Sequence, residues 1–202
     1  MDTPPVVGRR ERKKAATRQA IADAALELFL ERGYDRVSIR DIAEAADVST
    51  TTLFKHFPGK EALVFDQEED REAELIAAVR QRPAGQGIVG ALREHVLASR
   101  LRVATHPLRT EFTDLVDSTP ALQEYAERMW TRHTAALSAA IADDAGVSHD
   151  NIACRALARF VLDIPVLTRG LRDPRTAVEE VFDLLTHGWH LPSQRLHVHN
   201  GD

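Results

Sequence analysis

The chain has 202 residues, 44% hydrophobic and 28% charged, proportions of an ordinary globular protein that exclude a wholly disordered or fibrous chain. Its net charge of −5 is unevenly spread: residues 1–60 carry 11 Lys+Arg against 9 Asp+Glu, with all of the lysines (Lys13, Lys14, Lys55, Lys60), whereas residues 61–202 carry 15 against 22. No apolar run approaches the roughly 18 to 20 residues that span a bilayer, and the first residues are polar and basic rather than signal-like, so a cytoplasmic protein without a membrane partner is expected.

Residues 1–13 read as a flexible basic arm. Arg9, Arg10, Arg12, Lys13 and Lys14, with Arg18 beyond, could lie along phosphates, reach into a minor groove, or form a solvated tail. Thr17 to Arg32 places Ile21, Ala25, Leu28 and Phe29 on one helical face, and Gly33 supplies the stop with Tyr34 able to pack back. Ser38 with Asp41 three positions on is a capping box for a short second helix carrying Ile39, Ile42, Ala43 and Ala46. Asp47 and Val48 turn the chain, Ser49 caps again, and Thr50 to Phe57 forms a third short helix ended by Pro58 and Gly59. Two short capped helices around a tight turn are a helix-turn-helix.

From Lys60 a single long helix is expected to about Gln81, broken by Arg82 to Gly87. Five more follow: Ile88 to about Ala104, Pro107 to about Asp117, Pro120 to about Ala145, His149 to about Arg169 and Pro174 to about His187, three of them opening on a tolerated first-turn proline. Strand signals are scarce, so the fold class is all-α, about nine helices. Residues 14–60 are expected to form a three-helix DNA-binding domain, 61–190 a helical bundle whose ligand-binding and dimerisation roles the family resemblance given below implies, and 191–202 a flexible tail.

Thr50, Thr51 and Lys55 project from the start and outer side of the third helix, where side chains meet base edges: threonine methyls suit thymine, and Lys55 can donate to guanine or a phosphate. Ile42, Val48, Leu53 and Phe57 would form the small core that sets the angle between helices. The segments Gly33 to Ser49, GYDRVSIRDIAEAADVS, and Thr50 to Leu63, TTTLFKHFPGKEAL, closely resemble the TetR family of bacterial transcriptional regulators over about residues 14–65. The resemblance implies phosphate contacts at Thr52, His56 and Lys60 and a base or phosphate contact at Arg40. Two positions depart from the family pattern: Phe54 stands where Tyr is usual, and Asp47 where Gly is usual in the turn. The second asks a non-glycine residue to accept turn geometry, with φ > 0.

A module this small reads few base pairs, so specificity calls for a two-fold dimer on a palindromic operator. Ala153, Leu157, Phe160 and Val161, then Val178, Val181, Phe182 and Leu185, offer apolar faces for the intersubunit four-helix bundle that the resemblance implies, or else complete the monomer core. Leu92, His95, Val96, Phe112, Val116, Tyr125, Met129, Trp130 and His133 mix large apolar and a few polar side chains, as a small-molecule pocket does; the same stripes also fit a plain core. Asp163 beside Pro165 either kinks the helix expected from His149 to about Arg169 over a ligand or faces outward.

Gly-rich phosphate loops, Gly-x-Ser-x-Gly, His-Glu-x-x-His and Cys-x-x-Cys are missing, so no enzyme and no cofactor are expected. The single cysteine, Cys154, reads as packing, and His187, His190, His197 and His199 lack the accompanying ligands of a metal site. The expected function is a dimeric repressor, nucleoid-associated when on duplex DNA and released by a small, largely apolar effector. The alternatives are a DNA-binding regulator or architectural protein without an effector, or an activator.

Overall fold

The computed structural model describes residues 8–104 and 109–188. Within them it is all-helical: α1 (Arg9–Arg32), a 3-10 turn (Tyr34–Arg36), α2 (Ile39–Ala45), α3 (Thr50–His56), α4 (Glu61–Val64), α5 (Glu68–Arg80), α6 (Ile88–Ala104), α7 (Arg109–Ser118), α8 (Pro120–Ala145), α9 (Ile152–Leu167) and α10 (Pro174–His187). The expected tail at 191–202, the start of the helix expected from Pro107, residues 1–7 of the arm, and His190, His197 and His199 lie outside the described residues.

Two expectations are corrected. Helix α1 begins at Arg9 rather than Thr17, so the described part of the basic arm is helical. The single helix expected over 61–81 is two, α4 and α5, which raises the number of α-helices from about nine to ten among the described residues. The break is physical: Phe65 leaves helical geometry (φ −105°, ψ 44°), and the Asp66 carbonyl accepts a hydrogen bond from Arg18 Nη2 at 2.8 Å. Phe65 thereby stacks on Tyr125 (ring centroids 5.3 Å apart) and meets Phe112 edge-on at 6.1 Å, favourable aromatic geometries.

The described residues divide into two compact units, 8–73 with 104 and 109–133, and 74–103 with 134–188. In the first, Ile21, Ala25, Phe29, Val37, Ile42, Leu53, Phe57, Leu63 and Leu122 form one core, with Phe112, Val116 and Tyr125 packed against it. The helix-turn-helix therefore shares its core with α4, α7 and the first half of α8, and α1 touches α2, α4 and α7. In the second unit Val79, Leu92, Val96, Leu137, Ile141, Ala158, Leu162, Ile164, Val178 and Phe182 are buried. There Arg82 ties the turn at 81–87 to the end of α8, donating to Asp144 and to the Val79 and Gln86 carbonyls. Cys154 is buried, in keeping with a packing role. No helix among the described residues is long and apolar enough to cross a membrane.

Candidate nucleic-acid interface

The two short helices are held by their caps. The Ser38 backbone N–H donates to Asp41 Oδ2 at 2.8 Å, and the Asp41 N–H returns a bond to Ser38 Oγ at 3.2 Å. The Ser38 hydroxyl, which donates to the same Oδ2 at 2.7 Å, and then the Ser38 N–H hold the Asp41 carboxyl below its ordinary range. Asp47 has φ 51°, the one non-glycine positive φ among the described residues, so the departure from glycine is accommodated in the left-handed conformation that the turn demands. The Val48 N–H then reaches back to the Ala43 carbonyl at 2.9 Å, and Ser49 Oγ caps α3 by accepting from the Thr52 N–H.

Helix α3 is sharply two-sided. Leu53 and the adjoining Phe57 are fully buried, whereas Thr50, Thr51, Phe54 and Lys55 are exposed. Seven residues give two turns, and positions 50, 51, 54 and 55 share one flank. The expected base-contact set is thus brought together on a free surface. Phe54, which from the sequence is only a departure from the usual Tyr, sits among them 54% exposed and adds an apolar face able to meet a thymine methyl. Arg40, on α2, is exposed too.

The residues expected at phosphates stand differently. Thr52 is half-buried with its hydroxyl 2.9 Å from Ser49 Oγ, a bond within the cap. Lys60 turns inward: its ammonium donates to the Tyr34 carbonyl and lies 4.0 Å from the Tyr34 ring centroid, and burial lowers its pKa. His56 is half-buried, with Nδ1 enclosed and without a hydrogen-bond partner in the described structure. Burial first, then the charges of Arg18 and Lys14, push its pKa down.

Arg18 is the positioning residue that the sequence placed among the basic arm. Its guanidinium donates to the His56 carbonyl at 2.6 Å and to the Asp66 carbonyl at 2.8 Å, and stacks 4.2 Å over the Phe57 ring. One side chain thereby satisfies a carbonyl at the end of α3 and another in the turn after α4. A signal was present: position 18 lies on the same i, i+4, i+7, i+11 row as Ala22, Ala25 and Phe29, so Arg18 prolongs the line of the buried stripe one turn toward the start of α1.

The expected pocket residues divide. Leu92 and Val96 are buried and His95 half-buried in the second unit, whereas Phe112, Val116 and Tyr125 belong to the margin of the core around the helix-turn-helix. Along α8, Met129 and His133 are buried, and Trp130 meets His133 edge-on at 6.1 Å. The sequence missed two acids opposite this row. Glu68 Oε1 accepts from Tyr125 Oη at 3.1 Å and from Arg132 at 2.7 Å, and Glu72 Oε2 lies 3.5 Å from His133 Nε2.

Burial outweighs the Glu72 and Glu68 charges and lowers the His133 pKa. The folded protein therefore binds fewer protons at this ring than the unfolded chain, and stability falls as pH drops below the unfolded value of about 6.5. Thermal unfolding between pH 7 and 5.5 is expected to show this loss, and His133→Gln to remove part of it. An undiminished loss in the variant would acquit His133.

Of the expected dimer residues, Val161, Val178 and Phe182 are buried within the second unit and complete its core. Ala153 and Phe160 are exposed, and Leu157, Val181 and Leu185 are half-buried. Ile152 and Leu184, not picked out from the sequence, are exposed apolar side chains on the same two helices, at 66% and 41%. Asp163 faces outward, accepting from Arg159 at 2.9 Å.

The family model for bacterial regulatory proteins of the tetR family matches residues 21–66. The chain is 36% identical over 134 residues to the HTH-type transcriptional regulator TcmR of Streptomyces glaucescens, covering 62% of this chain and 59% of that protein. It is 32% identical over 129 residues to the HTH-type transcriptional repressor Rv1474c of Mycobacterium tuberculosis, covering 64% of each. It thus spans less than two thirds of the length of these relatives. The solved SmeT–triclosan complex has the same fold at a TM-score of 0.55, with 21% identity over 88% of this chain and 96% of that one. In its matched residues and its capped geometry, the N-terminal helix-turn-helix of this chain is similar to that of the bacterial regulatory proteins of the tetR family.

Proposed function

We propose that the protein is a ligand-responsive transcriptional repressor that binds a palindromic operator as a homodimer, in the cytoplasm and nucleoid-associated when on DNA. The observation that carries this reading is α3, capped at Ser49 and presenting Thr50, Thr51, Phe54 and Lys55 outward over a fully buried Leu53 and Phe57. A rigid helix with a free polar and aromatic flank is what major-groove readout needs. Arg40 adds a base or phosphate contact beside it. His56 and Lys60 act mainly through the packing of the module, and Thr52 through its cap.

Dimerisation uses the exposed apolar side of α9 and α10, centred on Phe160 and Leu184 with Ala153, Leu157, Val181 and Leu185 around them. The effector, a small and largely apolar molecule, engages the α8 face carrying Met129, Trp130 and His133. The SmeT complex with triclosan supports an effector of this size and polarity. Release follows if the effector favours a conformer whose two recognition helices no longer match successive grooves, which requires different affinities for the two conformers.

The test is selection of random duplex DNA on the full chain, with sequencing of the bound pool. A palindromic motif bound by two chains supports the reading, and an unenriched pool sinks it. On the selected duplex, Thr51→Ala and Lys55→Ala are each expected to cost about 1–3 kcal/mol and to relax preference at one base pair of each half-site. An equal loss on every sequence would assign those side chains to phosphates instead.

A further inference from the structure

The first two turns of α1 carry an electrostatic surface that the helix-turn-helix reading leaves unused. Residues 9–16 are exposed throughout, and the buried face of α1 begins only at Ile21. This stretch therefore stands as helix without a core to rest on. It holds five cations, Arg9, Arg10, Arg12, Lys13 and Lys14, against one acid, Glu11.

Their arrangement has a direction. Arg10, Lys14 and Arg18 follow at i, i+4 and i+8, one row along the helix. At Arg18 that row meets the recognition helix, through the bond to the His56 carbonyl at 2.6 Å and the stacking on Phe57. Lys14 is close enough for its charge to act on His56. From Arg18 back to Arg10 the row advances about 12 Å at 1.5 Å per residue. A line of positive charge thus starts at the C-terminal end of α3 and leads away from it, with Lys13 beside it and Arg9 and Arg12 toward the other side of the helix.

We propose that this helical extension is a second DNA-contacting surface, in which Arg10 and Lys14 neutralise backbone phosphates of the duplex flanking the segment read by α3. The inference rests on the DNA-binding reading above and adds to it a contact made outside the helix-turn-helix and without base readout. Helical form decides between the two contact modes open to a basic arm. A helix is about 10–12 Å across with its side chains, too wide for a minor groove of about 6 Å, whereas phosphates can be met from its flank. Charge complementarity favours the same partner: a duplex carries one negative charge per about 1.7 Å of axis, and displacing counterions from it stabilises the complex.

The experiment compares the full-length wild type, the double variant Arg10→Gln/Lys14→Gln and the single variant Arg12→Gln on the duplex selected above, extended by flanking DNA, across a salt titration. All three substituted positions are exposed, and circular dichroism checks that the variants keep their helix. Each lost phosphate contact lowers the slope of log K against log salt by about 0.9, so the double variant should lose about 1.8 per bound protomer. Arg12→Gln should keep the wild-type slope, and trimming the flanks should bring wild type and double variant together. A double variant with the wild-type slope on the extended duplex overturns the proposal while leaving operator binding intact. So does a double-variant effect that tracks the A·T content of the flank, which would assign the side chains to the minor groove. A wild type that selects no motif removes the operator reading and this inference together.

Discussion

Phe57→Ala is expected to destabilise the protein by about 3–5 kcal/mol, the range for emptying a fully enclosed phenylalanine site. Phe57 is 0% exposed, ends α3 and belongs to the same core as Ile21, Phe29, Ile42, Leu53 and Leu63. Its ring is also the surface on which the Arg18 guanidinium rests. Truncation therefore removes apolar burial, opens a void where α1, α3 and α4 meet, and takes away the platform of a charged group. Urea unfolding of wild type and variant measures the difference. A change below about 1 kcal/mol would mean that neighbouring side chains collapse into the site or that the ring is not enclosed in solution. Operator binding should fail at temperatures where the variant still holds helix, because the orientation of α3 is lost before helicity is.

Arg18→Ala is expected to cost about 2–4 kcal/mol. The substitution leaves the His56 and Asp66 carbonyls without their charged donor and exposes the Phe57 ring face; a hydrogen bond involving a charged group contributes roughly 1.5–3 kcal/mol net of exchange with water, and less where, as here, the group is only part-buried. Arg18→Lys should recover only part of the loss, since one compact ammonium cannot reproduce the forked reach to two carbonyls. A double-mutant cycle with Phe57→Ala should show coupling of about 0.5–3 kcal/mol, because both changes remove the same stacked contact. Strictly additive effects, or full rescue by lysine, would contradict the geometry described for Arg18. The same variant should lower affinity on every DNA sequence, which separates it from Thr51→Ala and Lys55→Ala.

These two residues also mark where sequence reading stops. Apolar spacing identifies Phe57 as core because its partners Leu53, Ile42 and Ile21 recur with helical period. Arg18 reads as one more cation after Arg9 to Lys14, since nothing local says that a guanidinium turns inward. Lys60 shows the same limit: it stands at the start of α4, where an anion would be welcome, and nothing local tells that the Tyr34 carbonyl and ring, 26 residues earlier, engage its ammonium. Long flexible cations take the direction set by whatever the fold brings near them.

Along α9 and α10 the periodic apolar positions are readable, but the sequence does not say which stripe is inner. Val161, Val178 and Phe182 are covered within their own unit, while Phe160, Ile152 and Leu184 are left outside. When a helix is apolar on more than one side, only packing against its neighbours distinguishes core from free surface. The pocket residues show the same ambiguity, and Glu68 and Glu72 escaped notice because they pair with α8 side chains some 60 positions away.

By itself, then, the sequence determined what depends on nearest neighbours along the chain: the all-helical class, the Ser38 and Ser49 caps, the Gly33 stop, the strained turn at Asp47 and the exposed flank of α3. These follow from backbone geometry, capping hydrogen bonds and helical period, which act over a few residues. Tertiary structure alone decided the break of α4 from α5, the inward turns of Arg18 and Lys60, the face of α9 and α10 left uncovered, and the row of cations that α1 extends from the end of the recognition helix. Each depends on which distant carbonyls, rings and apolar faces compete for a group, and that competition is settled only when the chain is folded.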